Sequence, residues 1–220
     1  MKLELYFAPG ACSFVPHFGL EAIHAVTGQA FEPKLIKIHK GEQFTPEYTA
    51  LNPNGQVPLL VVDDKPLSQI VPICEYLDRS FPQATLLPSE SWARAHALST
   101  FSWFNNSVHP TFTHFFMPSK FTPDAAAQVA IKAKATTDFR GHIERIQAMI
   151  AAAGTPFLGG TQPNFLDAYA LTLYRWGGIA GIDPATTPAL RDYVERLVAT
   201  PYIAAVVERE RIPVHTFKAA

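Results

Sequence analysis

The chain has 220 residues, 48% hydrophobic and 17% charged, with 18 basic and 19 acidic side chains and a formal net charge of −1. That composition supports the core of one large or two modest domains and excludes a disordered chain, and a near-neutral chain without a basic run lacks the footprint of a nucleic-acid or anionic-membrane binder. Two cysteines, Cys12 and Cys74, with no Cys-x-x-Cys pair, exclude a disulfide framework, a dithiol redox motif and paired zinc-ligand spacing.

The first residues, MKLELYFAPG, do not read as a secretory signal, because Glu4 interrupts the apolar run and Pro9-Gly10 end it early. The longest strongly apolar stretch, VPLLVV at 57–62, falls far short of the ~20 residues needed to span a bilayer. A soluble, cytoplasmic protein with no membrane and no nucleic-acid partner is expected. Residues 2–7 alternate and read as a strand. Residues 13–27 carry Phe14, Phe18, Leu20, Ile23 and Val26 at near-helical spacing, and Gly28 ends the run. FEPKLIKI at 31–38 reads as a second strand, and TPEYTALNPNG at 45–55 as a short helix and a turn. VPLLVVDD at 57–64, then KPLS, predict a buried strand and a return strand. PICEYLDRSF at 72–81 predicts a third helix, which Pro82 stops.

The expected fold is therefore a β-α-β-α-β-β-α domain over 1–81, a proline-punctuated linker over 82–90, and an all-helical domain over 91–220. Four or five helices are expected in the latter. Thr122 is the expected N-cap of one, with Pro123 in its first position. Thr-Pro recurs at 187 and 200, and Asn164 stands three residues before Asp167, the spacing of a capping box. The helix that this box opens, FLDAYALTLYRWGG, is apolar on most faces and should be central.

Cys12 lies between a strand that ends near Ala8 and a helix that begins just beyond it. A thiol at a helix amino terminus feels free amides and the positive end of the dipole, which favour the thiolate. An ordinary thiol is about 3% ionised at pH 7, and a pKa of about 6.5 would raise that to roughly three-quarters. The other reading is a small buried hydrophobe, the usual fate of a free cysteine. Cys74, between Ile73 and Glu75 in the third helix, reads as core.

Three stretches resemble the cytosolic glutathione S-transferase family over essentially the whole chain: NPNGQVPLLVVDDKPLSQIVPICEYLDRSF, FLGGTQPNFLDAYALTLYRW and FAPGACSFVPH. The third is most similar to the bacterial beta class, which carries a cysteine where other classes use Tyr or Ser. The resemblance implies a thioredoxin-like first domain, a homodimer, glutathione as co-substrate, no metal and a small hydrophobic electrophile. It implies Cys12 as the catalytic thiol at the glutathione sulfur, with Ser13 beside it. It also implies a cis bond before Pro58 in QVP, so that the backbone of Val57 pairs with the cysteinyl unit like an added strand. Gln69 and the Ile70 amide would hold the γ-glutamyl end at a helix start. Here Ile70 stands where the family has Ser or Thr, and Pro72 replaces the usual small residue. Lys40, or else Lys37, would meet the glycyl carboxylate. Ser102, Asn106 and His109, spaced four and three apart, would line the site from one helical face. Phe7 occupies the place of a strand tyrosine in that class, and Tyr6 should face the other side of the sheet. The reaction implied is transfer of an alkyl or aryl group to glutathione, or glutathione-dependent thiol exchange. The alternative is a non-catalytic binder of glutathione or a hydrophobic ligand on the same fold.

Overall fold

A computed structural model describes residues 1–218. The chain order of its N-terminal part is the expected β-α-β-α-β-β-α: β1 (Leu3–Phe7), α1 (Phe14–Thr27), β2 (Glu32–Leu35), α2 (Pro46–Leu51), β3 (Leu59–Val62), β4 (Lys65–Ser68) and α3 (Ile70–Ser80). The sheet order is β2-β1-β3-β4, with β1 parallel to β2 and antiparallel to β3, and β3 antiparallel to β4. Alternation in β1 sends Leu3, Leu5 and Phe7 to the face covered by α1 and α3, while Tyr6 joins Ile36, Tyr48, Leu59 and Val61 on the other. Tyr6 therefore faces away from α1. β2 is shorter than the apolar run 31–38 suggests. Ile36 N–H donates to Phe7 O at 2.8 Å, and the turn at Pro9-Gly10 then leaves that edge without partners. The chain leaves the sheet in tight turns over Ile38–Lys40 and Glu42–Phe44.

Beyond a turn at Pro82–Ala84, the described residues contain six α-helices, against the four or five expected: α4 (Ser91–Trp103), α5 (His109–Phe116), α6 (Ala125–Ala152), α7 (Phe165–Ile179), α8 (Pro188–Val198) and α9 (Pro201–Glu210). A π-helical segment, Phe104–Val108, joins α4 to α5. The start of α6 also corrects the expectation. Asp124 is the cap, accepting from Ala126 N (2.8 Å) and Ala127 N (3.3 Å), and Thr122 Oγ only accepts from the Asp124 N–H (3.2 Å). A carboxylate outcompetes a hydroxyl for first-turn amides because it also complements the helix dipole.

The Asn164–Asp167 capping box is present, and α7 is buried along nearly its whole length. α1 packs between the sheet and the helical layer, against α3, α7 and α9. Gly19 permits the close approach of α1 to α7, since a Cβ there would clash with the Phe165 ring. A buried ion cluster ties α4 to α3: Arg94 pairs with Asp78 at 2.7 Å and with Glu75, and Asp78 also accepts from Leu87 N at 2.9 Å. No helix among the described residues is long and apolar enough to cross a membrane.

Candidate active site

A cavity of about 500 Å³ opens between the sheet edge and the helical layer. Of the residues that the sequence singled out, Cys12, Val57, Pro58, Gln69, Ile70 and His109 line it together. Ser13, Lys40, Ser102 and Asn106 are not in its lining.

The loop from Ala8 to Ser13 places the thiol. Ser13 is fully buried, and its hydroxyl accepts from Ala8 N (3.1 Å) and donates to Ala8 O (3.2 Å), so it closes the turn. Gly10 takes a left-handed backbone (φ 71°), and a Cβ there would lie 2.8 Å from Arg175 Nη1. The helical layer clamps this residue. Its N–H donates to Glu210 Oε2 at 2.9 Å, and its carbonyl accepts from Trp176 Nε1 (3.1 Å) and Arg175 Nη1 (3.3 Å). Glu210 Oε1 meets His17 Nδ1 at 2.8 Å in a pair with no solvent exposure.

Cys12 is 8% exposed, and its thiol donates to Val57 O at 3.5 Å. Burial pushes this thiol up to about 12. The amides of Cys12 and Ser13 pull the other way without prevailing, and the Glu210 charge adds to the rise. The helix-start amides favour the thiolate, but desolvation outweighs them. At pH 7 Cys12 is therefore a protonated thiol. Its alkylation by iodoacetamide, followed by peptide mass mapping, is expected to be far slower at pH 7 than that of free cysteine. The rate should rise about tenfold per pH unit through pH 9. A plateau near pH 7 would restore the thiolate.

Opposite Cys12, the Val57–Pro58 peptide bond is cis. The loop before it is held by Tyr48 OH and Asn52 Nδ2, each donating to Gln56 O at 2.7 Å. No described residue accepts from the Val57 N–H. At the third wall, Gln69 sits at φ 76°, uncommon for a residue with a Cβ, and opens α3 without a side-chain cap. The first intrahelical bond there is Ile73 N–H to Gln69 O, so the Ile70 and Val71 amides are free, and Pro72 has none to offer. Ser68 brings a hydroxyl to the same wall.

His109 enters from α5. Its Nδ1 meets Tyr169 OH at 2.8 Å, and its ring stands edge-on to Trp176 at 4.7 Å. Burial, with a smaller push from Lys120, lowers it to about 4, so the ring is uncharged at pH 7. The π-helical segment explains the neighbour. Its wider turn shifts the register by one, bringing Asn105 into the cavity, while Asn106 is exposed and accepts from Asn105 Nδ2 at 2.9 Å. Lys37 and Lys40 are exposed. Lys37 lies 3.9 Å from Glu42, and the loop instead offers Ile38, Gln43 and Phe44 to the cavity.

Sequence reasoning missed Gln43, Lys120, Arg175 and Trp176. Gln43 Oε1 is buried without a hydrogen-bond partner, an acceptor left for a ligand. Arg175 had a signal, as the lone cation within an otherwise apolar buried helix. Lys120 had none. Among the described residues there is no cluster of three or more His, Cys, Asp or Glu side chains able to hold a metal.

A family model for the glutathione S-transferase N-terminal domain matches residues 1–79. A glutathione S-transferase of Xanthomonas campestris pv. campestris, GST-4.5, is 30% identical over 94% of this chain and 98% of its own. The solved glutathione S-transferase of Xylella fastidiosa superposes with a TM-score of 0.84 at 28% identity, over 96% of this chain and 100% of that one. A sphingomonad glutathione S-transferase, solved in complex with glutathione, gives 0.80 at 27% identity over the same shares. Near-complete coverage of these relatives, on a sheet, helical layer and cavity of this geometry, places the chain in the glutathione S-transferase family.

Proposed function

We propose that the cavity binds glutathione against the sheet edge and joins its sulfur to an electrophile whose apolar body lies against the helical layer. One observation carries the reading: a buried thiol, an open backbone edge at Val57 and an uncapped helix start converge on one cavity. The Val57 backbone suits the cysteinyl unit as an added strand would. The Ile70 and Val71 amides at the α3 start suit the γ-glutamyl carboxylate. Ile70 lacks a hydroxyl, and Ser68, two residues upstream, supplies one on the same wall. Gln43 Oε1 can accept from a ligand N–H. The solved sphingomonad relative holds glutathione, which supports the assignment. A homodimer in the cytoplasm belongs to the same reading.

A Cys12 that stays protonated suits conjugation better than exchange. It can donate its S–H to the glutathione thiolate, a charge-assisted bond. It is poorly placed to attack a disulfide itself, since the thiolate is the nucleophile. In the conjugation step the glutathione sulfur uses a lone pair to form the S–C bond. The leaving group departs with the C–X pair, and the proton of the glutathione thiol passes to solvent.

Three measurements on wild type and Cys12→Ala test this: calorimetry with glutathione, conjugation of 1-chloro-2,4-dinitrobenzene, and intact mass after oxidised glutathione. Glutathione should bind both proteins. Conjugation should fall roughly tenfold or more in the variant, the worth of one hydrogen bond to a charged sulfur. Little adduct should form on wild type at pH 7. No binding at millimolar glutathione would sink the reading, and binding without turnover would leave a non-catalytic receptor.

A further inference from the structure

We propose that the electrophile taken by this site is an acid, with a carboxylate bound by Arg175 and Lys120 and a flat unsaturated body bound by the aromatic wall. The proposal rests on the glutathione reading of the cavity and extends it to the second substrate.

The cavity lining contains two cations, Lys120 and Arg175, and no Asp or Glu. Both cations belong to the helical layer, among Phe112, Phe116, Met117 and Trp176, not to the wall formed by Val57 and the α3 start. Arg175 is 5% exposed. Its Nε donates to Pro213 O at 2.8 Å and its Nη1 to Gly10 O at 3.3 Å, both neutral acceptors. Among the described residues nothing accepts from its Nη2, and no carboxylate lies within 4.0 Å of the guanidinium. Glu210, whose charge Arg175 feels, has its two oxygens on Gly10 N–H and His17.

A buried cation is ordinarily paired, because removing it from water without a counter-charge is costly. Here Glu210 supplies counter-charge only at a distance, across Gly10, and no described residue pairs with Nη2, so an anion in the cavity can take that position. Guanidinium also has the planar fork that fits a carboxylate. Lys120, exposed at the rim, adds a second positive charge on the same side. The apolar part of this wall is flat. Phe112 stacks on Trp176 at 4.6 Å and 12°, and on Phe116 at 5.5 Å and 14°. Because Arg175 reaches Gly10, two residues before Cys12, an acid held there has its body close to the thiol end of the cavity.

The test compares matched acids and amides, with binding separated from chemistry. Binding of 3,5-dinitrobenzoate and 3,5-dinitrobenzamide is measured by calorimetry, with and without glutathione. Conjugation is measured with 4-chloro-3,5-dinitrobenzoate and its amide, each corrected for its uncatalysed rate. The acid should bind about tenfold tighter than the amide, as one hydrogen bond between charged groups provides. The same preference should appear in kcat/KM. It should fall about threefold in Lys120→Gln, as for an exposed charge pair, and shrink with added salt. It should persist in Lys134→Gln, which removes an equal charge from α6 outside the cavity. Arg175→Gln also releases Gly10, so the wild-type ratio and Lys120→Gln decide the question. Equal or tighter binding of the amide overturns the proposal, whether or not glutathione binds. An acid preference in a protein that binds no glutathione would keep the anion site and remove the transferase reading.

Discussion

Replacing Asp167 by alanine is expected to cost about 4 kcal/mol or more, a large share of the roughly 5–15 kcal/mol that a folded domain has in total. Asp167 is fully buried and accepts four hydrogen bonds. Leu158 N donates to Oδ1 at 2.8 Å, and Tyr193 OH donates to the same oxygen. Gly159 N donates to Oδ2 at 3.2 Å, and Asn164 N at 2.7 Å. One carboxylate thus fixes the loop before α7, the first turn of α7 and the facing side of α8. Leu158 N also donates to Tyr193 OH at 3.2 Å, so alanine would leave three donors, Tyr193 OH, Gly159 N and Asn164 N, without an acceptor, each costing about 1–3 kcal/mol when unsatisfied, with incomplete additivity. Asp167→Asn keeps the volume and one acceptor but sets an NH2 group against donors, and should lose less. Glu144→Ala, exposed on α6, should stay within about 0.5 kcal/mol of wild type. Urea unfolding followed by circular dichroism reads all three. A loss below about 1 kcal/mol for Asp167→Ala would show that the box is replaceable. The effect should reach the site, because α7 also carries Tyr169, Arg175 and Trp176.

The box was visible in the sequence because it is a local device, two residues three apart that satisfy each other's backbone. The same holds for β1, where period-two alternation sorts Leu3, Leu5 and Phe7 from Tyr6 before any partner is known. What could not be read depends on registers and on burial. The π-helical turn at 104–108 adds no distinctive residue, so helical spacing pointed to Asn106 while Asn105 faces the cavity. Lys40 follows β2 at the expected distance in sequence. Two tight turns and Gly41 (φ 77°) nonetheless carry the loop so that Gln43 and Phe44 line the cavity. The Cys12 environment was half legible. Its place before α1 is encoded by Pro9-Gly10 and the apolar run beyond, but its ionisation is set by what covers it. The cover comes from α7, α9 and the Val57 loop, the last of these 45 residues away in the chain and the helices farther still. Arg175 belongs to the same class. Its isolation within an apolar helix was visible, but not the side on which it emerges.

His109 should make stability fall on acidification, and should do so without changing charge in the working range. In the folded protein burial lowers it to about 4, while the unfolded chain restores the ordinary value of 6.5. A depressed folded value means that the unfolded state takes up the proton first as pH falls. The contribution is therefore fully present above about 6.5, and is lost progressively as pH drops through the folded value near 4. A gap of about 2.5 pH units at 1.36 kcal/mol each corresponds to about 3 kcal/mol. Carboxylates titrate over part of the same window, so the informative quantity is a difference of differences. Between pH 7 and pH 4.5, wild type should lose about 2–3 kcal/mol more than His109→Gln, which keeps a hydrogen-bonding side chain toward Tyr169 and does not titrate. Equal losses would mean that the imidazole is not held neutral. Burial acts on both Cys12 and His109, which line the cavity. It keeps Cys12 as S–H and His109 uncharged at pH 7. Under the transferase reading, the group that ionises there is the thiol of glutathione. The pH–rate profile of conjugation should then follow that thiol, with the same midpoint in wild type and His109→Gln. A midpoint that moves with the substitution would make His109 a titrating participant and contradict its burial.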